Sequence, residues 1–508
     1  MAKSTKIHAS KQKYVSPVQG VLPCFETPFS QSLSPENRWV VMAGQIPWDI
    51  LVSIYQKQMG NDRTGAGGIN PRVALGSLMI KHVCDLSDRE TIRQIRENVY
   101  MQYFIGYSSF CNTAPFDPSL FVELRKRLGM EQINAINERI AGFVHEKSEQ
   151  HEDKQNDEQR PNLQPPLTHR GKMIIDATAC PQDIAYPTDL NLLNDAREKS
   201  DELIDLLYDK SIHKKKPRTY RRKARKLYLS EAQKKSSTAK AIRKANGKQL
   251  AFLRRNLRII DRLLDSYPMI PLDKGQHKYL MVIHTVFEQQ EQMYKSKTHS
   301  IEHRIVSIHQ PHVRPIVRGK RTAKVEFGAK IQVSLMNGFV FLDDLQWEAF
   351  NEGNRLLASV EKYRKRFGFY PAEVLADTIY CTRENRRLLK ELKIKLRAKP
   401  LGRPRITAVE DHVRPGERNP IEGVFGRAKS AYGMNRIKAR LARTSASWIA
   451  SILMVLNLVK LTGLMYPAIM LAVRTFSALV RALLKEHDAG SASWYGRMLM
   501  DKSYALEA

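Results

Sequence analysis

Closely spaced cysteines are missing from this sequence. Its five cysteines stand at positions 24, 84, 111, 180 and 381, and no two of them form a C-x-x-C pair. This spacing does not indicate a disulfide-dense secreted scaffold, and it suits a reducing cytoplasm. The amino terminus carries lysines but no apolar stretch after them, so we expect no secretory signal.

Acidic residues are scarce relative to basic ones. The 508 residues contain 83 Lys and Arg against 52 Asp and Glu, a formal net charge of +31. A polyanion is the usual partner of so basic a chain, and nucleic acid is the default. Ribosomal-type and membrane-surface proteins are the competing classes, but neither is usually this long with ordinary aromatic content.

Long apolar runs are missing as well. The stretch from Trp448 to Val459 is interrupted by Asn457 and closed by Lys460. A membrane-spanning helix needs about 20 predominantly apolar residues. We therefore interpret this stretch as a core or partner helix and expect no membrane partner.

One segment is too polar to fold. From Lys147 to Arg170 the chain is mostly Glu, Gln, Asp, Asn and Pro, a composition that cannot build a core. We predict a flexible linker over 147–170. It separates a helical region over 39–146, preceded by a polar arm over 1–38, from the second half of the chain.

Helical patterns fill the region 39–146. Ser87 to Glu90 form a capping box, and apolar residues follow at core-facing spacing while Arg93 and Arg96 lie on the exposed side. The region is either a DNA reader of the helix-turn-helix kind or a helical domain in a basic protein. The pattern alone favours the second interpretation.

Two isolated acids lie in short apolar strands further on. In the stretch 171–179, strand alternation puts Ile174, Asp176 and Thr178 on one face. Asp377 lies in a second predicted strand over 373–380, and a helix should begin at Thr382. An isolated acid in such a place is about as often a turn or cap residue as a functional one.

A third acid lies at the start of a predicted helix. Asn419 has the form of an N-cap, with Pro420 at the first helical position and Glu422 in the first turn. Lys429 returns to the same face seven residues later, roughly 10 Å along the axis. On this motif alone, Glu422 is more often a capping-box carboxylate than a catalytic one.

Taken together, the three motifs resemble the DDE transposases of bacterial insertion sequences. The resemblance rests on Asp-x-Thr at Asp176, on Ala-Asp-x-x-Tyr followed by Asn at Asp377, and on Arg-x-x-x-Glu-x-x-x-x-x-x-Lys from Arg418. The family often has Tyr three residues before that Arg, where this chain has Pro415. The sequence from Leu86 onward is similar to the N-terminal domain of the insertion-sequence-five (1182-like) group. The resemblance as a whole covers about Trp39 to Lys460.

The resemblance implies an α+β or α/β fold. We expect an all-α N-terminal domain, thought to contact DNA, followed over 171–465 by an RNase H-like catalytic core, a mixed sheet flanked by helices. The long separation of Asp176 from Asp377 indicates an insertion, which we place at about 190–303. A C-terminal helical tail over 466–508 completes the chain.

The resemblance also implies a mechanism. Asp176, Asp377 and Glu422 would hold two Mg²⁺ ions, for which Mn²⁺ would substitute, because carboxylate oxygens are hard donors. Arg418 and Lys429 would hold phosphate oxygens near that site. The expected activity is cleavage at transposon ends and transfer of the 3′ ends into target DNA, by a homodimer or higher oligomer in the bacterial cytoplasm, at the nucleoid.

Two alternatives stay open at this point. A metal-dependent nuclease of the same fold would use the same acids and stop at hydrolysis. A non-catalytic DNA-binding descendant would more often have lost one of the acids. If one of the three is misassigned, the neighbouring acids to consider are Asp183, Asp189, Asp343 and Asp344.

The predicted insertion is strongly basic. Residues 211–260 contain 18 Lys and Arg and one acid, Glu231, which is too lopsided for a face solvated by salt bridges. Leu250, Leu253, Leu257 and Ile260 form the seam of an amphipathic helix beside it. We predict DNA-backbone contacts from this cluster and from one family-like segment: Lys214, Lys215, Lys216, Arg218, Arg221, Arg222, Lys223, Arg225, Lys226, Arg318 and Lys320.

Overall fold

The computed structural model describes residues 28–57, 68–142, 169–317, 325–398 and 416–463. Most of the predicted arm, most of the predicted linker and the predicted tail lie outside these ranges. Arg318 and Lys320 also lie outside the described residues.

Helices occupy the described part of the chain before the sheet. They are α1 (Pro28–Ser32), α2 (Arg38–Gln45), α3 (Trp48–Lys57), α4 (Pro71–Val83), α5 (Asp88–Glu97), α6 (Val99–Phe104), α7 (Leu120–Arg127) and α8 (130–142). The predicted start of α5 is confirmed, because the Ser87 hydroxyl accepts a hydrogen bond of 3.1 Å from the backbone N–H of Glu90. This region is all-α, as predicted.

A mixed sheet forms the centre of the second half. Its strands are β1 (Lys172–Pro181), β2 (Arg314–Val317), β3 (Val325–Met336), β4 (Phe339–Gln346), β5 (Glu373–Leu375) and β6 (Lys395–Arg397). β3 pairs antiparallel with β1, β2 and β4, whereas β5 lies parallel to β1 and β6 parallel to β5. The order is β2-β3-β1-β5-β6, with β4 beside β3. Antiparallel strands on one side of β1 and parallel strands on the other confirm the predicted RNase H-like arrangement.

The pair Met336–Asn337 between two apolar runs predicts a hairpin. A hairpin is present, but its turn lies at Asn337–Gly338, one residue later. Asn337 and Gly338 both adopt positive φ angles, 47° and 78°, as a tight two-residue turn between antiparallel strands requires. The sequence from Arg304 to Trp347 predicts strands, and this is wrong for its first residues, because regular pairing starts at Arg314. The preceding segment instead packs on the insertion, where Ile305 and Ile308 join its apolar core.

The insertion is helical, as predicted, and has a core of its own. It comprises α9 (Asp189–Leu207), α10 (Arg221–Ala232), α11 (Ala239–Leu264) and α12 (Lys274–Ser296). The predicted seam of α11 is confirmed, since Leu250, Leu253, Leu257 and Ile260 are all buried against α9 and α12. The basic helix α10 lies on α9 and α11, where Gln249 donates to the Ala224 carbonyl at 3.0 Å.

The last four helices flank the sheet. They are α13 (Leu356–Phe367), α14 (Arg383–Glu391), α15 (Asn419–Ala431) and α16 (Ala442–Gly463). The predicted start of α14 is confirmed by its N-cap Thr382, whose hydroxyl accepts from the Asn385 N–H at 3.1 Å. α15 begins one residue earlier than predicted, with Arg418 rather than Asn419 as its N-cap. The reason is the turn at Gly416, whose carbonyl accepts from the Asn419 N–H at 3.0 Å and sets Arg418 in a helical conformation.

α16 is longer than the apolar run that suggested it. By length and composition alone its 22 residues would allow a membrane crossing. Its apolar side chains, however, lie in one continuous core with the N-terminal helices and one face of the sheet. Asn457 joins these layers, because its amide bonds the backbone of Val340 on β4 and the side chain of Asn137 on α8 at 2.8 Å each. The interpretation as a core helix fits this packing.

Candidate active site

Asp176 lies in the middle of the sheet on β1. It pairs in register with Val333 of β3, and β5 ends beside Ile174. The side chain therefore stands just beyond the carboxyl end of the neighbouring parallel strand. One carboxylate oxygen, Oδ1, accepts the backbone N–H of Ala177 at 2.8 Å, which fixes the side chain in place.

Asp377 follows β5 directly. The predicted strand over 373–380 was too long, because the strand ends at Leu375 and Asp377 caps a short 3₁₀ turn over Thr378–Tyr380. Its Oδ1 accepts the N–H of Thr378 at 2.7 Å. Because β1 and β5 are parallel neighbours, Asp176 and Asp377 meet at the same edge of the sheet.

Arg418 joins the two aspartates. Its Nη2 lies 3.0 Å from Oδ2 of Asp176 and its Nη1 lies 3.3 Å from Oδ1 of Asp377. The guanidinium is mostly buried, with 19% of the side chain exposed. One planar fork therefore holds two carboxylates that come from different strands.

Glu422 stands one turn after Arg418 on the same face of α15. Four helical residues separate them, roughly 6 Å along the axis. Within the described part of the chain, Glu422 is exposed and does not join the aspartates in a group close enough to share an ion. The structure thus brings two of the three predicted acids together and places the third beside them.

Lys429 lies further along α15. Its Nζ is 4.0 Å from Oε2 of Glu326 at the start of β3, and eleven helical residues from Arg418 amount to roughly 16 Å. The structure therefore does not bring Lys429 to the two aspartates. A phosphate held by Lys429 would be a different one from that held by Arg418.

Burial and nearby charges both act on the pKa of Asp176. Burial is the largest influence and raises the pKa of this carboxyl above its ordinary value, and the nearby charges of Glu352 and Asp377 raise it further. The Ala177 hydrogen bond and Arg418 oppose the shift but do not cancel it. This edge of the sheet holds an excess of acid that a cation would stabilise.

Sequence reasoning missed Glu352. It follows β4, lies 2.9 Å from Nζ of Lys330 and precedes Gly353. A Cβ at Gly353 would stand 2.7 Å from the Ile379 carbonyl oxygen, so this glycine permits close approach to the turn that follows Asp377. The approach of Glu352 to the turn after Asp377 depends on the positions of β4 and β5 in the sheet. No local sequence pattern could therefore have predicted it.

The role of Asn385 was also missed. Its Nδ2 donates to the carbonyl oxygens of Gly353 and Tyr380, each at 2.9 Å. The available sequence signal is its position after the Ala-Asp-x-x-Tyr motif. The structure shows the physical reason, since Asn385 ties the turn after Asp377 to the turn after Glu352.

The four neighbouring acids are engaged in ion pairs elsewhere. Asp183 pairs with Arg436 at 2.9 Å and Asp189 with Arg304 at 2.7 Å. Asp343 pairs with Arg366 at 2.7 Å, and Asp344 lies 3.4 Å from Arg355. A separate ion pair therefore accounts for each of these four acids. Asp176 and Asp377, by contrast, share one partner, Arg418.

The residues fit a divalent cation. Two carboxylates face one positive group at 3.0 and 3.3 Å, and carboxylate oxygens are the donors that Mg²⁺ and Mn²⁺ prefer. Glu422 lies one helical turn after Arg418, which contacts both aspartates.

The predicted basic cluster is exposed on α10 and the segment before it, and all nine of its described members face solvent. Three of them pair with acids of α9. Lys216 and Arg221 hold Asp205 at 2.8 and 2.7 Å, and Arg225 lies 3.2 Å from Glu198. The other six make no ion pair with a described residue.

Two family models match parts of this chain. Residues 374–459, from β5 to α16, match the family described as a transposase DDE domain, and residues 27–127 match a transposase domain, DUF772. An uncharacterized protein, ORF8 in the nfe locus of Rhizobium meliloti, is 28% identical over 179 residues, which is 35% of this chain and 77% of that protein. No solved structure matches.

The fold and the DDE domain match define an enzyme class: phosphoryl-transfer enzymes with an RNase H-like core, a family that implies divalent metal ions. Within this class the chain carries a transposase DDE domain, preceded by an N-terminal transposase domain. Its function is DNA transposition, and DNA is its partner. Transposases are typically intracellular.

Proposed function

We propose that this enzyme cleaves the ends of its element and transfers the 3′ ends into target DNA, with Asp176, Asp377 and Glu422 as metal ligands. The convergence of Asp176 and Asp377 on one positive group carries the proposal. Two Mg²⁺ ions, with Mn²⁺ as a substitute, would activate the attacking oxygen and stabilise the leaving oxygen. The sequence of the N-terminal region supports the insertion-sequence-five group as the subgroup.

Two of the three carboxylates are held in fixed positions. Asp176 is held rigidly by the sheet and by the Ala177 N–H, and Asp377 by its cap on the following turn. Rigid placement matters because productive geometry tolerates errors of only about 0.5 Å. Glu422, exposed one turn after Arg418 on α15, would be the third ligand.

The two cations of α15 act on DNA at different points. Arg418 is placed to hold the reacting phosphate, where its charge opposes the negative charge that develops in the transition state. Lys429 holds a phosphate roughly 16 Å along the helix, and so fixes the direction in which DNA crosses the site. The basic cluster of the insertion extends that path. A homodimer or higher oligomer, in the bacterial cytoplasm at the nucleoid, would allow two ends to be held together.

Strand joining separates this proposal from a nuclease of the same fold. The protein is incubated with Mg²⁺, a target plasmid and duplex ends that carry 3′ hydroxyl groups, the ends being taken from inverted repeats that flank the gene. Covalently joined product is expected. Cleaved but never joined DNA would favour the nuclease.

A further inference from the structure

Arg418 occupies the position between the two aspartates that a shared cation would take. Its two terminal nitrogens each reach a different carboxylate, and its side chain is mostly buried. We infer that Arg418 is an internal counter-ion that competes with divalent cations for Asp176 and Asp377, and that metal binding releases it to the DNA phosphate. This inference rests on the proposed metal-binding role of the two aspartates.

The competition follows from which oxygens are used. Oδ1 of Asp176 is taken by the Ala177 N–H at 2.8 Å, and Arg418 occupies Oδ2. Oδ1 of Asp377 accepts the Thr378 N–H, and Nη1 of the guanidinium lies 3.3 Å from the same oxygen. An ion that bridges Oδ2 of Asp176 and Oδ1 of Asp377 would take the position where the guanidinium now lies, and two like charges cannot share it.

The surrounding negative charge favours a cation such as Arg418 between the two aspartates. Asp176 experiences the negative charges of Asp377 and Glu352, so the two aspartates would repel one another without a cation. A guanidinium keeps its charge at all physiological pH values. It can therefore hold the carboxylates in place until a divalent ion replaces it.

A displaced Arg418 is suited to a phosphate. Its Nε is buried without a hydrogen-bond partner among the described residues, so the present pairing leaves one donor of the fork unused. Arginine binds phosphate with two parallel donors. Glu422 lies one turn along the same face, so the movement that frees the guanidinium also clears the approach of the third acid.

Metal binding without DNA tests this inference. Isothermal titration with Mn²⁺ is carried out on the full chain as wild type, Arg418→Gln and Arg418→Lys. Arg418→Gln should bind Mn²⁺ roughly three- to tenfold more tightly, because it removes a competitor held by two ion pairs, of which the one to Asp377 reaches an exposed carboxylate. Arg418→Lys should fall between the two, because an ammonium group cannot bridge both carboxylates as a planar fork does.

Lys429→Gln is the matched control, since it removes the same charge from the same helix away from the aspartates, and its Mn²⁺ affinity should stay within about twofold of wild type. Thermal unfolding in EDTA and in Mn²⁺ covers the case of a destabilised variant: Arg418→Gln should gain more from Mn²⁺ than wild type does. Equal or weaker Mn²⁺ binding by Arg418→Gln overturns the inference. Retained Mn²⁺ binding by Asp377→Asn would instead contradict the proposed metal site itself, so the two failures are distinguishable.

Discussion

Asn385 donates its side-chain amide to the carbonyl oxygen of Gly353 at 2.9 Å, and a second hydrogen bond of the same length goes to Tyr380. The side chain is buried. It thereby couples the turn that Asp377 caps to the turn that carries Glu352. Two segments distant in sequence are held at the active site by one amide group.

Replacement of Asn385 should disturb the site without touching metal or DNA. Asn385→Ala leaves two carbonyl oxygens without their donor, at a cost of about 1–3 kcal/mol in unfolding free energy. Cleavage should fall because Asp377 loses its fixed position. Denaturant unfolding and a cleavage assay measure the two effects. Asn385→Asp is the matched variant, since it keeps the shape but presents oxygens that cannot donate to carbonyls; normal activity in Asn385→Asp would argue against this role.

Lys429 should act on DNA rather than on metal. Its distance from the aspartates along α15 leads us to expect that Lys429→Ala slows strand cleavage, with little change in the Mg²⁺ concentration required. Cleavage rates measured across a Mg²⁺ titration check this. Arg436→Ala, which removes an exposed cation paired with Asp183, is the control. A large change in metal requirement with an unchanged rate at saturation would show that Lys429 acts on the metal after all.

The basic cluster should set the salt dependence of DNA binding. Each phosphate neutralised on duplex DNA contributes about −0.9 to the slope of log affinity against log salt. Replacing Lys214, Lys215, Arg222 and Lys223 by Gln should flatten the slope by about three to four units if all four touch phosphates. Discrimination between end sequence and random DNA should hardly change, because phosphate contacts position rather than specify.

The structure supplies a matched control for that experiment. Lys216, Arg221 and Arg225 are equally exposed but already pair with acids of α9. Their replacement by Gln should flatten the slope less per residue than the first set does. If the first set leaves the slope unchanged, the cluster is only a solvated surface.

His82 should make the protein sensitive to mild acid. Burial depresses its pKa well below the ordinary value, and the neighbouring charges of Lys81 and Arg125 add to the effect while Asp88 opposes it. Its ring packs edge-on against Trp448 of α16 at 5.2 Å. The imidazole therefore stays neutral in the folded protein when it would take up a proton in the unfolded chain.

The sign of the pH effect follows directly. A depressed histidine pKa contributes stability above the unfolded value near 6.5, and that stability is lost as the pH falls below it, by roughly 1.4 kcal/mol per pH unit. Denaturant unfolding of wild type at pH 7.5 and pH 5.5 should show this loss. His82→Gln should lose less over the same interval, and an equal loss in both proteins would contradict the assignment.

Local rules predicted those parts of the fold that depend on local chemistry. The hairpin between β3 and β4, apart from a one-residue shift of its turn, the N-caps Ser87 and Thr382, and the α11 seam through Leu253 all followed from residue type and period. The start of α15 was missed by one residue because the Gly416 turn, not the Asn419 side chain, sets the first helical conformation. The length of β5 was missed because Asp377 caps a turn instead of extending the strand.

Some features of the candidate site could likewise be predicted from local sequence, and others could not. Asp176 and Asp377 could be found because each carries its own short motif, and the parallel pairing of β1 and β5 brings them together. The bridging position of Arg418 and the approach of Glu352 could not be found, since both depend on strand register and on side-chain competition for a few oxygen atoms. Sequence motifs identify the acids but not which cation lies between them.

Cleavage by the Asp377→Ala protein tests the central assignment most directly. The full chain as wild type, Asp377→Ala and Asp183→Ala is incubated with Mg²⁺ and duplex DNA carrying the element's end, with DNA binding measured on the same samples. Asp377→Ala should bind DNA nearly as well as wild type and give no cleavage, because the carboxylate holds metal rather than DNA, and Asp176→Ala and Glu422→Ala should behave alike. Asp183→Ala, which removes a carboxylate paired with Arg436, should still cleave. Measurable cleavage by Asp377→Ala would contradict the assignment of this site.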